Sequence, residues 1–327
     1  MASGRLPNLL VAGVPKAGTG SLFAYLSQHP DICRADEKEV GYWNYYNPRR
    51  HSGAPPPLDD YRKHFAACGE ERYAFEATPT YSYGGQPVID AIRTHLPEPK
   101  ILISLRNPVD RLWSAYTFQR ELGNLARMRS FEEYLHACEQ RKRDGSDLVP
   151  HDHLHGLYIG YYADYVPLWL DAFGKDIRVI FAEHTVQDPA KVMAGLLRWL
   201  DVDEAAVSDI DLGLRNTTQH PRSTRVAKLA YSLKRSGDRL RLLPPRVRAP
   251  LRRIYQRANA GKPPEKMTAD VRRYLTGLYR ESNEQTARAL SAHGYQDLPD
   301  WLRVGFTGNA DAGQGAITSG LANDSAE

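Results

Sequence analysis

The chain predicts an α/β domain with a central parallel sheet flanked by helices on both faces. Three observations carry this. The short apolar runs "LLVAGV", "KILISL" and "IRVIFAEH" have the length and composition of strands buried on both sides. Segments with apolar residues at helical spacing follow them, the alternation that gives parallel sheets. The first run also passes through a glycine-rich turn straight into a helix. At 327 residues with 42% hydrophobic and 25% charged content, the composition is that of an ordinary globular protein.

In chain order, residues 9–14 make the first strand, bounded by Pro15. In "TGSLFAYLSQHP" the residues Leu22, Phe23, Tyr25 and Leu26 fall at helical spacing, and Pro30 stops the helix. Residues 31–62 are polar and aromatic, with "GAPPP" as a loop. "YAFEATPTY" reads as a short strand ending at Thr78-Pro79, and residues 100–105 as a second buried strand. Asn107 and Pro108 fit the N-cap and first turn of the helix "VDRLWSAYTFQREL". Ser130 and Glu133 have capping-box spacing for another helix. "GLYIGYYADYVPLWLDAF" reads as an aromatic-rich helix broken or kinked at Pro167. "IRVIFAEH" is the third buried strand, and Asp188-Pro189 starts a helix running through Trp199. Thr268 opens a long helix ended by Gly294. Residues 1–306 are expected to form one domain, with 222–262 as a basic helical insertion. Residues 307–327, rich in Gly, Ala, Asn and Ser, read as a disordered tail.

The glycine-rich turn is the first chemical signal. Gly13 and Gly18 have the spacing of a phosphate-binding loop, yet Thr19 follows Gly18 and the lysine, Lys16, lies inside the loop. A turn of this kind points backbone N–H groups and the positive helix end at an anion. Lys16, Ala17, Gly18, Thr19, Gly20 and Ser21 are the candidate phosphate cradle. At the end of the second strand stands Arg106, with Ser114 further along the helix, where magnesium-dependent phosphate enzymes place an aspartate. Arginine and serine clamp a phosphate; they do not hold magnesium.

"PKAGTGSL" and "LRNPVDRLWSAY", in that order, resemble the 5′-phosphosulfate loop and 3′-phosphate motif of the sulfotransferases that use 3′-phosphoadenosine 5′-phosphosulfate (PAPS). "EKEVGYWN", the aromatic segment after residue 156 and "LYRESNEQTARALSAHGYQDLPDW" are similar to the heparan-sulfate-type carbohydrate branch, so the resemblance spans about residues 8–220 and 266–302. It implies a P-loop-like domain, with PAPS as donor and adenosine 3′,5′-bisphosphate (PAP) as product. It implies Lys16 on the leaving 5′-phosphate, Arg106 and Ser114 on the 3′-phosphate, and Glu39 as general base. The branch's K-G-R-x-H-P loop survives only as "NTTQHPRS", where Arg222 and Ser223 are candidate phosphate ligands in place of the arginine that is Thr218 here. Gly41 and Ala77 stand where many relatives have His and Lys, which speaks against a heparan-like polymer. The implied acceptor is a carbohydrate, glycolipid or specialised metabolite, sulfated on oxygen or nitrogen.

Two other readings stay open. A divergent phosphotransferase would need a magnesium site, for which Glu183 is the one obvious ligand; a PAP-binding protein without catalysis would keep the cradle alone. "HDHLH" at 151–155 lacks a further ligand set, so no metal is expected. Residues 222–262 hold thirteen Lys/Arg against Asp238, out of a net charge of +4 for the chain. The segment reads as a lid over the nucleotide, with peripheral membrane contact as runner-up and nucleic acid not expected. The three cysteines, Cys33, Cys68 and Cys138, argue by number and spacing against a disulfide scaffold. With no transmembrane or signal segment evident, a cytoplasmic enzyme is expected, and the low cysteine count and Arg/Ala-rich composition suggest a bacterial one.

Overall fold

A computed structural model describes residues 4–51, 53–125, 127–145, 153–213 and 266–303. The basic segment 222–262, with Arg222 and Ser223, and the tail 307–327 lie outside the described residues.

Five parallel strands form one sheet in the order β2-β3-β1-β4-β5. They are β1 (Leu9–Gly13), β2 (Ile32–Arg34), β3 (Tyr73–Ala77), β4 (Lys100–Leu105) and β5 (Ile177–Phe181). Side chains alternate between two apolar layers, as the strand period requires. Leu9, Val11, Phe75 and Leu102 face α1 (Thr19–Leu26) and α8 (Pro189–Leu200). Leu10, Ala12, Ile101 and Ile103 face the layer that holds α3 (Gln86–His95) and α6 (Val166–Phe173). A third cluster joins α4 (Pro108–Glu121), α5 (Phe131–Arg143) and the long α9 (Ala269–Ala292). The remaining helices are α2 (Leu58–Lys63), α7 (Ala182–Gln187) and α10 (Asp300–Arg303).

The caps read from the sequence are present. Asn107 Oδ1 accepts from Val109 N–H, Asp188 from Lys191 N–H and Thr268 Oγ1 from Val271 N–H. Ser130 Oγ accepts from Glu133 N–H, while the Glu133 carboxylate reaches Arg129 N–H, one residue earlier than a capping box would place it.

Three features differ from the expectation. Residues 31–63 contain β2 and α2, elements of 3 and 6 residues that are too short to show a period. The aromatic segment is two 3-10 turns, Tyr158–Gly160 and Tyr162–Asp164, followed by α6, whose first turn holds Pro167. Proline starts the helix there because its missing N–H costs nothing in the first turn. Finally, Cys33 and Cys68 form a disulfide with Cα atoms 5.5 Å apart, and Cys138 is free and buried. The pairing follows from tertiary return of the chain after α2 toward β2, which cysteine spacing does not encode.

β1 and β4 are neighbours at the point where the strand order reverses. β2 and β3 lie to one side of β1, β4 and β5 to the other. Ligands of open α/β sheets sit outside the carboxyl ends of strands at such a reversal.

Candidate active site

The loop after β1 and the turn after β4 meet at these strand ends. Val14 N–H donates to Ser104 O at 2.9 Å, and Ser104 Oγ donates to Ala17 O at 2.6 Å. Arg106 Nη1 donates to Lys16 O at 3.2 Å. The loop turns over at Lys16, with φ 72°, and again at Gly18, with φ 86°, which is the N-cap of α1. An exposed glycine suits that left-handed position, and a Cβ there would meet nothing within 4 Å. Open space therefore lies before the first turn of α1, whose leading N–H groups have no intrahelical acceptor. Thr19 and Ser21 are buried against the sheet, and Gly20 is half-buried.

The Lys16 side chain crosses to α4, where its ammonium lies 4.1 Å from the centre of the Phe118 ring. Ser114, Phe118 and Glu121 are spaced i, i+4, i+7 and share that face. Burial lowers Lys16 to about 8; Glu121 and Glu39 oppose this, while Arg106 and Lys38 add to it. Burial likewise raises Glu121 to about 7, with Lys16 pulling it back. Lys16, Arg106, Glu121 and Glu39 thus share one electrostatic site, with the Ser114 position on the adjoining face of α4.

Arg106 is held from behind. Tyr162 Oη donates to Arg106 O at 2.6 Å, and Asn107 N–H donates to Glu183 Oε1 at 2.7 Å. Glu183, the one magnesium ligand suggested by the sequence, is thus engaged in fixing the turn that carries Arg106. No group of three or more His, Cys, Asp or Glu with metal-binding geometry occurs among the described residues.

Glu39 is exposed, has φ 68° and pairs with Lys38. It sits in the loop after β2, at the same carboxyl edge of the sheet. Two residues on, Gly41, with φ 77°, donates its N–H to Thr78 Oγ1 at 3.1 Å. Residues that sequence reasoning missed are Phe118, Glu121 and Glu76. The i, i+4, i+7 row from Ser114 marks the first two, and a lone carboxylate in the apolar run "YAFEA" marks the last.

Comparison with known proteins accords with this geometry. The family profile described as "Sulfotransferase domain" matches residues 6–241. The chain belongs to the sulfotransferase family. Human bifunctional heparan sulfate N-deacetylase/N-sulfotransferase 1 is 28% identical over 313 residues, covering 91% of this chain and 31% of that protein. The corresponding human protein 3 is 27% identical over 319 residues, with the same coverage. This sulfotransferase-family chain therefore spans about a third of the length of the curated relatives it matches. A crystal structure of a sulfotransferase from Alicyclobacillus acidocaldarius superposes with TM-score 0.65 at 25% identity, covering 91% of this chain and 99% of that one.

Proposed function

We propose that the protein transfers a sulfuryl group from PAPS to a hydroxyl or amine of a carbohydrate acceptor, with Glu39 as general base. The observation that carries this is the Arg106–Lys16 hydrogen bond, which joins the two motifs into one site at neighbouring strand ends. The donor presents two separated anionic groups, and the site has a matching pair of cationic anchors. PAPS supplies an activated sulfuryl group on its 5′-phosphate. Lys16 and the N–H groups of residues 18–20 stabilise negative charge on that phosphate, where it grows as the S–O bond breaks. Arg106, with Ser114 beside it, holds the 3′-phosphate in charge-assisted hydrogen bonds. Glu39 accepts the acceptor's proton, and its exposure leaves it open to an incoming ligand.

The named activity of the N-sulfotransferase relatives supports a carbohydrate and admits nitrogen as the atom sulfated. Gly41 and Ala77 carry no charge at the positions where many relatives have His and Lys, which favours a short or uncharged acceptor over a polyanion; Lys38, paired with Glu39, is the cation beside the base. We propose a cytoplasmic location from the lack of an evident transmembrane or signal segment; the Cys33–Cys68 disulfide gives the sparse cysteine set no weight for it.

Calorimetric titration with PAP and with ATP, each in EDTA or magnesium, tests the donor site. PAP binding independent of magnesium is expected. Transfer of ³⁵S from PAPS to de-N-sulfated heparan oligosaccharides and neutral glycosides tests the reaction. Glu39→Gln is expected to leave PAP affinity within twofold and to lower turnover by about 10²–10⁴. Magnesium-dependent ATP binding with no PAP binding would overturn the proposal.

A further inference from the structure

Glu76 is wholly buried, within the apolar layer that faces α3 and α6. A carboxylate is expensive there unless its lone pairs are filled by donors. Three hydroxyls fill them. Tyr61 and Tyr81 each donate to Oε1 at 2.7 Å, and Thr78 donates to Oε2.

Each hydroxyl then has its oxygen free to accept, and each accepts from the short segment that follows Glu39. Thr78 Oγ1 takes Gly41 N–H at 3.1 Å, Tyr81 Oη takes Trp43 N–H at 3.4 Å, and Tyr61 Oη takes Trp43 Nε1–H at 3.2 Å. A hydroxyl has one hydrogen. Because three N–H donors approach from the Gly41–Trp43 side, all three hydroxyl hydrogens must point to Glu76. A proton on Glu76 would compete with these hydroxyl hydrogens for the space around Oε1 and Oε2. The chain of bonds runs in one direction and suits an acceptor-only group at its end.

We infer that Glu76, as a buried carboxylate, is a positioning residue that orients Thr78, Tyr61 and Tyr81 and through them fixes the loop that carries Glu39. The inference rests on the reading of Glu39 as the general base. Burial raises the Glu76 carboxyl above the usual carboxylate range, with the three hydroxyls and His64 only partly opposing it, and Tyr61 and Tyr81 are raised well above the usual phenol range. The phenols thus stay protonated as donors. His64, at the end of α2, is itself paired with Asp36 at the start of the Glu39 loop. Trp43 is fully buried and packs edge-on to Tyr61 at 5.3 Å, so the anchored end of the loop is rigid.

The test uses the full chain with Glu76→Gln, and Thr78→Val as a second variant should the first not fold. Each is made alone and with Glu39→Gln. The readouts are ³⁵S transfer from PAPS, PAP affinity, and hydrogen exchange at the Gly41 and Trp43 amides. Either variant is expected to lower kcat by about 10–100-fold, the scale of an ångström-level misplacement. PAP affinity stays within twofold, and exchange at the two amides quickens. In the Glu39→Gln background the same substitution costs less than twofold, because there is no base left to misplace. An equal loss in both backgrounds, or unchanged exchange at both amides, would overturn the inference. Full activity of Glu39→Gln alone would instead overturn the base assignment, while the exchange result still decides whether Glu76 holds the loop.

Discussion

Raising the pH from 7 to 9 is expected to weaken PAP binding about tenfold, through loss of the Lys16 proton. Lys16 in the free protein titrates near 8 because the loop and α4 remove water from its ammonium. An anionic ligand binds the charged form and raises its pKa further. The apparent dissociation constant then grows as 1 + 10^(pH − pKa), which is about 1.1 at pH 7 and about 11 at pH 9. Phosphate groups with a second pKa near 6 are already ionised in this window, so the ligand contributes little to the slope. Two variants identify the titrating group. Lys16→Arg keeps its charge throughout and should leave only the shallower dependence that Glu121, at about 7, adds as it ionises. Glu121→Gln removes the carboxylate that raises Lys16, so the fall should begin at lower pH than in the wild type. Calorimetry at half-unit steps, in buffers of different ionisation enthalpy, measures affinity and proton uptake together. A flat wild-type profile, or an unchanged slope in Lys16→Arg, would refute the reasoning.

Arg106→Ala is expected to weaken PAP by about 10–100-fold, the loss of a charge-assisted phosphate contact, while AMP, which lacks the 3′-phosphate, changes by less than threefold. Competition calorimetry with the two nucleotides checks this. Reduction of Cys33–Cys68, or its replacement by serines, is expected to lower unfolding free energy by about 2–4 kcal/mol, since the bond closes a loop between residues 35 apart in sequence. Guanidinium titrations with and without reductant measure the difference.

The parts of the fold with a strong local signal were legible in the sequence. β1, β4 and β5 are runs of apolar residues long enough to admit one reading, and Asn107, Asp188 and Thr268 carry their caps in their identity. The loop residues and Arg106 were legible because each follows such a strand. What escaped depends on distant chain segments meeting. β2 has three residues and exists because Cys33 pairs in register with Ala74. The disulfide needs the return of the chain after α2. Glu76 was visible as a charge in an apolar strand, but its partners Tyr61 and Tyr81 flank it from 15 residues before and 5 after, and no period links them. Glu121 reads as an ordinary helix-end acid until Lys16 is seen to cross to Phe118.

The position of the lysine inside the loop explains why the acid is there. The backbone turns over at Lys16, so its carbonyl faces Arg106 while its side chain runs to α4. That geometry ties the two anionic-group anchors together through one residue, and it also strips water from the ammonium. An ammonium without water loses its proton more easily, and a neutral amine cannot stabilise a leaving phosphate. Phe118 replaces part of the lost hydration through its ring face. Glu121, one turn further along α4, supplies the opposing charge that keeps the proton in place. Burial in turn holds Glu121 near 7, so close to neutrality it can take up a proton when an anionic ligand arrives, and it then no longer repels that ligand. A lysine and a carboxylate poised in this way can stabilise the free site and still yield it to phosphate.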